Sequence, residues 1–156
     1  KIVIPLDGTE LAEQVLDHAV RLARAVPGAK IVLMRAINAL IPVDMAPDVP
    51  EAEREARTIL QQVQQLQVKL QQDAESYLQG VAAKIRENGV DVQTHVVVED
   101  QPAVAILQEA EEQKAGLIAI ETHGRRGLSR LMQGSVADKV VRGSHIPVLI
   151  HHPVPK

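Results

Sequence analysis

Residues 102–124 read PAVAILQEAEEQKAGLIAIETHG, and the fold turns on how this stretch is parsed. Pro102 suits the first turn of a helix, where its missing N–H is no loss. Val104, Ile106 and Leu107 give that helix one buried side, and Ala115-Gly116 ends it. Leu117-Ile118-Ala119-Ile120 follows without a polar residue, so it reads as a strand covered on both faces rather than an alternating one. Glu121-Thr122-His123-Gly124 then leaves the strand as a loop. A helix feeding straight into a doubly buried strand is the repeating unit of a parallel α/β sheet.

The rest of the chain repeats that unit. Ile2-Val3-Ile4-Pro5-Leu6 is a first buried strand, broken by Asp7-Gly8-Thr9, with Thr9 as N-cap of a helix whose apolar residues run from Leu11 to Ala23. Pro27-Gly28 ends that helix and Ile31-Val32-Leu33-Met34 is a second strand. Pro42, Pro47 and Pro50 mark an irregular crossover over 37–50. From Glu51 to Glu87 the pattern is helical, with one stripe through Val63, Leu66, Leu70, Ala74, Tyr77, Val81 and Ile85; Gly80 is a candidate kink. Its Gln-rich remainder reads as a solvated surface, with a partner-binding surface as the alternative. Asn88-Gly89 stops the helix, and Val90–Val98 is a third strand. After the loop beyond Glu121, Ser135–Arg142 is a short helix and Ile146–Ile150 a fifth strand. The order β-α-β-α-β-α-β-α-β, with right-handed crossovers, predicts one doubly wound domain over 1–156.

Composition narrows the function. With 156 residues, 46% hydrophobic and 24% charged, the chain suits one soluble core. A net charge of −3 and a single aromatic, Tyr77, leave neither a basic field nor stacking platforms for nucleic acid. Without cysteine there is no disulfide, thiol nucleophile or zinc-thiolate site. No apolar run approaches the roughly 20 residues of a membrane span. A cytoplasmic setting is therefore expected. The chain begins at Lys1 rather than Met, so further residues are expected ahead of the first strand.

In doubly wound sheets, ligands bind at the carboxyl ends of strands where strand order reverses. Pro5-Leu6-Asp7-Gly8 and Glu121-Thr122-His123-Gly124 line one such crevice if strands one and four are neighbours. Gly124 and Gly127 allow close backbone approach, Gly134-Ser135 opens a helix whose N–H groups favour anions, and Arg125, Arg126 and Arg130 add positive charge. A turn glycine and a helix cap explain the same residues without a ligand. Neither a Walker loop nor a dinucleotide fingerprint is present. Asp7 reads as a ligand for ribose hydroxyls or a metal, or as a turn former before Gly8. Glu121 and Asp7 are candidates for paired carboxylates or a magnesium site, or are unrelated loop acids. His151 and His152 point to opposite sides of a strand and do not jointly chelate a metal. No catalytic residue and no metal ligand set stands out.

The opening IVIPLDGTELAEQVLDHAVRLA and the close HGRRGLSRLMQGSVADKVVRGSHIPVLI resemble the universal stress protein family over almost the whole chain. The resemblance implies a five-stranded parallel sheet of order 3-2-1-4-5 and a homodimer, here through the strand Ile146–Ile150. ATP-binding members carry G-x-x-G, nine residues, then G-[ST]. In this chain Gly124, nine residues and Gly134-Ser135 keep the motif, but Glu121 occupies the first glycine position. A carboxylate about 4 Å from a phosphate is opposed by roughly 4 kcal/mol at an effective dielectric of 20. Glu121 is therefore expected to weaken triphosphate binding unless Mg²⁺ or the arginines compensate or its side chain points away. By resemblance Pro5 and Asp7 lie against adenosine, Ala36 near the adenine, and Thr122, His123, Gly124, Gly134, Ser135 and Val136 around ribose and phosphates. Three functions remain open. The first is a module binding ATP, with or without Mg²⁺, or a related adenine nucleotide. The second is a nucleotide-free dimer acting through protein contacts, and the third a slow Mg-dependent ATPase.

Overall fold

The computed structural model describes residues 1–40, 50–122 and 136–152, the side chains of 50–55 excepted. Its strands are β1 (Ile2–Pro5), β2 (Lys30–Ile37), β3 (Asp91–Val98), β4 (Leu117–Glu121) and β5 (Val148–His151). All pair in parallel, in the order β3-β2-β1-β4-β5. The register sets Val3 beside both Val32 and Ile118, and Ile120 beside Ile150. The doubly wound expectation holds, and β1 and β4 are neighbours.

The inner strands β1, β2 and β4 bury both faces because successive side chains alternate across the sheet. Ile4, Leu33 and Ala119 face one apolar cluster, built with a 3₁₀ turn (Ala12–Val15), helix α1 (Leu16–Ala25) and helix α2 (Pro50–Arg86). Val3, Val32, Met34, Ile118 and Ile120 face the other, covered by α3 (Pro102–Glu112) and α4 (Val136–Gly143). With no Phe or Trp and a single Tyr, the chain fills both clusters mainly with branched aliphatics and alanine, a composition that allows close helix-to-sheet approach.

Several element ends differ from the sequence pattern. The helix after β1 starts as a 3₁₀ turn, with the Ala12 amide donating to Thr9 Oγ1 at 3.2 Å. Ala115-Gly116 does not end α3. The helix closes at Lys114, whose φ of 50° lets the Ala115 amide reach Ala110 O while the Lys114 amide reaches Glu111 O. That is the paired hydrogen bonding of a helix terminus usually built on glycine. β5 spans Val148–His151 rather than Ile146–Ile150, because Ser144 accepts from the Ile146 amide and holds 144–146 in a turn. α2 passes through Gly80 as one helix.

The stripe along α2 divides in two. Ala74, Leu78, Val81, Ala82 and Ile85 are buried against the sheet, whereas Leu66 and Leu70 are exposed. Geometry explains the split: a 37-residue helix is about 55 Å long, an eight-residue strand about 26 Å. The first half of α2 therefore extends past the carboxyl end of the sheet.

Candidate functional site

β1 and β4 leave the sheet side by side, and the chain departs from them toward opposite halves of the sheet. This is the switch point at which the carboxyl ends of the strands open a crevice. Pro5 closes β1, and the following Leu6 amide still pairs with Met34 O at 2.9 Å. Asp7 then turns the chain: its Oδ1 accepts from the Thr9 amide at 2.9 Å and from the Thr9 hydroxyl at 2.7 Å. An Asp side chain that binds backbone two residues on is a standard way to stabilise such a turn. The turn-forming reading of Asp7 is thus satisfied, and it leaves the side chain exposed at the crevice mouth.

Gly8 has φ of 91°, a region that disfavours a side chain. A Cβ there would stand 3.1 Å from the Arg35 guanidinium. Arg35 in turn lies over the Tyr77 ring, 5.4 Å from its centroid, and the Tyr77 hydroxyl donates to Glu13 Oε1 at 2.9 Å. Burial, helped by the bond to Glu13, pushes the Tyr77 hydroxyl well above its usual range. Arg35 thus brings a permanent positive charge to the Asp7-Gly8 turn. Sequence reading missed it, although an arginine interrupting the apolar run of the strand KIVLMRAI was the available signal.

Ala36 lies in register with Val97 and packs into the α3–α4 cluster. Two residues beyond Met34, the partner of Pro5, it reaches the carboxyl edge of the sheet. Thr122 follows β4. Its amide donates to His151 O at 3.0 Å, and its hydroxyl lies 2.8 Å from His152 Nδ1. Val136, exposed, is the first residue of α4. The structure therefore gathers Pro5, Asp7, Ala36 and Thr122 at one edge. His123, Gly124, Gly134 and Ser135 lie outside the described residues, as do Arg125, Arg126, Gly127 and Arg130.

Glu121 departs most from expectation. It shares the sheet face of Ala119, the α1–α2 side, whereas Ala36 belongs to the opposite face. Only 5% of the residue is exposed. Glu121 Oε2 pairs with His151 Nδ1 at 2.5 Å, directly across the β4–β5 register, and the His151 ring lies 4.9 Å from that of His18 on α1. Among the described residues the other oxygen, Oε1, has no hydrogen-bond partner. Of the alternatives the sequence left open, the side chain points away: strand alternation carries it under the first helix, where an edge histidine receives it. His151, read in the sequence only as half of an unsuitable chelating pair, is that partner. His95 on β3 places Nδ1 2.7 Å from Glu109 Oε1 of α3. Among the described residues, no group of three or more His, Cys, Asp or Glu is arranged to hold a metal.

The family model of the universal stress proteins matches residues 1–152. The chain belongs to the universal stress protein family. Universal stress protein MJ0531 of Methanocaldococcus jannaschii is 31% identical over 96% of this chain and 80% of its own length. Among solved structures, that of MJ0577 from the same organism matches with a TM-score of 0.72 at 23% identity, covering 99% of this chain and 96% of that one. A universal stress protein solved in complex with cAMP matches with a TM-score of 0.60 at 22% identity, covering 97% and 94%. The five-stranded sheet is thus the family fold. None of the helices among the described residues of this member is long and apolar enough to cross a membrane.

Proposed function

We propose that this universal stress protein is a cytoplasmic, dimeric module that binds ATP or a related adenine nucleotide at the carboxyl ends of β1 and β4. The observation that carries the reading is the placement of Glu121. The strongest argument for a nucleotide-free member was a carboxylate facing the phosphates, and that carboxylate is buried beside His151 on the other side of the sheet from Ala36. Asp7 at the crevice mouth suits ribose hydroxyls, and Ala36 offers a small apolar contact for a base. A relative of the same fold holds cAMP, which supports an adenine nucleotide as the ligand class. Gly124, Gly134 and Ser135 would supply the phosphate contacts, with His123, Thr122 and Val136 beside them.

For the dimer, β5 is the outermost strand of the sheet. The carbonyls of Pro147 and His151 face β4, where the amides of Ile118 and Thr122 donate to them. By strand alternation the Ile150 amide points outward, available to a second copy.

Calorimetric titration with ATP, with and without Mg²⁺, tests the ligand. Binding is expected at micromolar to millimolar nucleotide, with Asp7→Ala at least tenfold weaker. Absence of heat at millimolar nucleotide overturns the reading, and release of phosphate during the titration replaces it with the ATPase. Light scattering tests the dimer. Ile150→Pro removes an outward donor without touching the β4 ladder, so it should reduce the mass, and an unchanged mass refutes pairing through β5.

A further inference from the structure

Arg35 occupies a place that neither the apolar core nor a nucleotide contact explains. Two residues after Leu33, it shares the α1–α2 face of the sheet, whereas Ala36 lies on the other face. It therefore stands across the sheet from a ligand held beside Ala36. The residue is half-buried, and its guanidinium has a defined seat. A Cβ on Gly8 would lie 3.1 Å from Nη1, 3.2 Å from Cζ and 3.2 Å from Nη2. Three atoms of one plane at nearly equal distance mean that the guanidinium lies flat against Gly8. Its carbon is also 5.4 Å from the centroid of the Tyr77 ring, inside the roughly 6 Å over which an aromatic face holds a cation. Tyr77 in turn is tied through its hydroxyl to Glu13. The connection from β1 to α1 is thus held from outside at two points, by β2 at Gly8 and by α2 at Glu13. Between them Asp7 Oδ1 accepts from the amide and hydroxyl of Thr9, and Thr9 Oγ1 accepts from the Ala12 amide.

We infer that Arg35 is a positioning residue of the crevice: its guanidinium, seated on the Tyr77 ring and flat against Gly8, fixes the turn that presents Asp7. Shape and charge both separate it from an ordinary surface cation. Gly8, at φ of 91° and without a Cβ, is what admits the plane so close to the backbone. A lysine would bring the same charge but no flat face. Asp7, Glu13 and Arg35 all act by charge on the Tyr77 hydroxyl, so two carboxylates share the neighbourhood of the guanidinium. An arginine so flanked is a poor seat for a phosphate, and a good brace for a turn that carries one of those carboxylates. The consequence for binding is pre-organisation. A carboxylate already fixed in place loses less freedom when a ligand arrives. That consequence rests on the adenine-nucleotide reading, whereas the bracing of the turn does not.

Amide hydrogen exchange, read residue by residue by NMR, tests the brace in Arg35→Met and Arg35→Lys. Methionine keeps the apolar stem and removes plane and charge, and lysine keeps the charge alone. In both variants the Thr9 and Ala12 amides, which the turn protects, should exchange at least tenfold faster, over and above any change in the amides of β1 and β2. An effect at Thr9 and Ala12 no larger than that on the strand amides would mean that Arg35 supports the fold at large, and overturns the proposal. So does lysine protecting Thr9 as well as arginine does. Calorimetry with ATP reads the consequence. Both variants should bind at least fivefold more weakly, and Arg35→Met added to Asp7→Ala should weaken binding less than twofold further, because that turn has no carboxylate left to present. An equal loss in the two backgrounds would mean that Arg35 acts on the phosphates by its charge, and also overturns the proposal. Should the wild type bind no ATP, the nucleotide reading fails, while exchange at Thr9 and Ala12 still decides whether Arg35 fixes the turn.

Discussion

Glu121→Ala separates a carboxylate that repels ligand from one that secures the fold. In the structure the Glu121 side chain is 2% exposed and its partner His151 19% exposed. Alanine removes the acidic partner of His151 and leaves a void beneath the first helix. The expected destabilisation is roughly 2–4 kcal/mol, between the cost of one unpaired buried polar group and that of a broken buried ion pair. The lower half of that range is the better expectation, because an imidazole can become neutral where a lysine would stay charged. Urea unfolding of Glu121→Ala, His151→Ala and the double variant should give a coupling energy of about 1 kcal/mol or more. The same variant should change ATP affinity by less than about threefold, since no charge is removed from the crevice. Were the carboxylate instead about 4 Å from a phosphate, its removal would gain roughly 4 kcal/mol, near a thousandfold in affinity. A Glu121→Ala protein as stable as the parent that binds ATP tenfold or more tighter would refute the placement of this side chain and restore the sequence-level argument.

Two further outcomes follow from the packing. Leu78 is fully buried where α2 meets the sheet, so Leu78→Ala should cost about 2–5 kcal/mol in urea unfolding, and a loss below 1 kcal/mol would mean that α2 does not pack as described. Tyr77→Phe should lose about 1 kcal/mol near neutral pH, the net worth of its hydrogen bond to Glu13. Because folding raises the Tyr77 pKa above the ordinary phenol value of 10.0, its contribution is complete below that pH and falls as pH rises through it. The wild type should therefore lose stability more steeply than Tyr77→Phe above about pH 10, and parallel slopes would contradict the buried phenol.

The sheet was legible because its information is local. Four or five apolar residues in a row, a capping Thr9 and stops such as Pro27-Gly28 depend on few neighbours, and these gave the strand order once the family resemblance was added. Element ends were less legible. Lys114 takes a conformation that sequence would assign to the glycine two residues later, since the terminus is set by which carbonyls remain to be satisfied. The stripe on α2 was visible throughout, but its division into a buried and an open half depends on where the strands end.

The direction of Glu121 was left open for a different reason. A motif compares positions along the chain, and at the first-glycine position it registers only that a side chain has replaced a hydrogen. Which face receives that side chain is decided by strand parity, counted from Ala119 two residues earlier, and by whether the neighbouring strand offers a partner. His151 lies 30 residues away and is brought opposite Glu121 only by the β4–β5 register. Arg35 was overlooked on the same grounds: it belongs to no motif, and its relation to Gly8 arises only because β1 and β2 are adjacent. Glycine at position 121 and glutamate paired with histidine are thus two ways of keeping charge from a phosphate. The second ties the carboxyl end of β4 to β5, the strand proposed to face a second copy. Substitutions at His151 should accordingly disturb the dimer and the nucleotide loop together, whereas substitutions at Ala36 should disturb nucleotide binding alone.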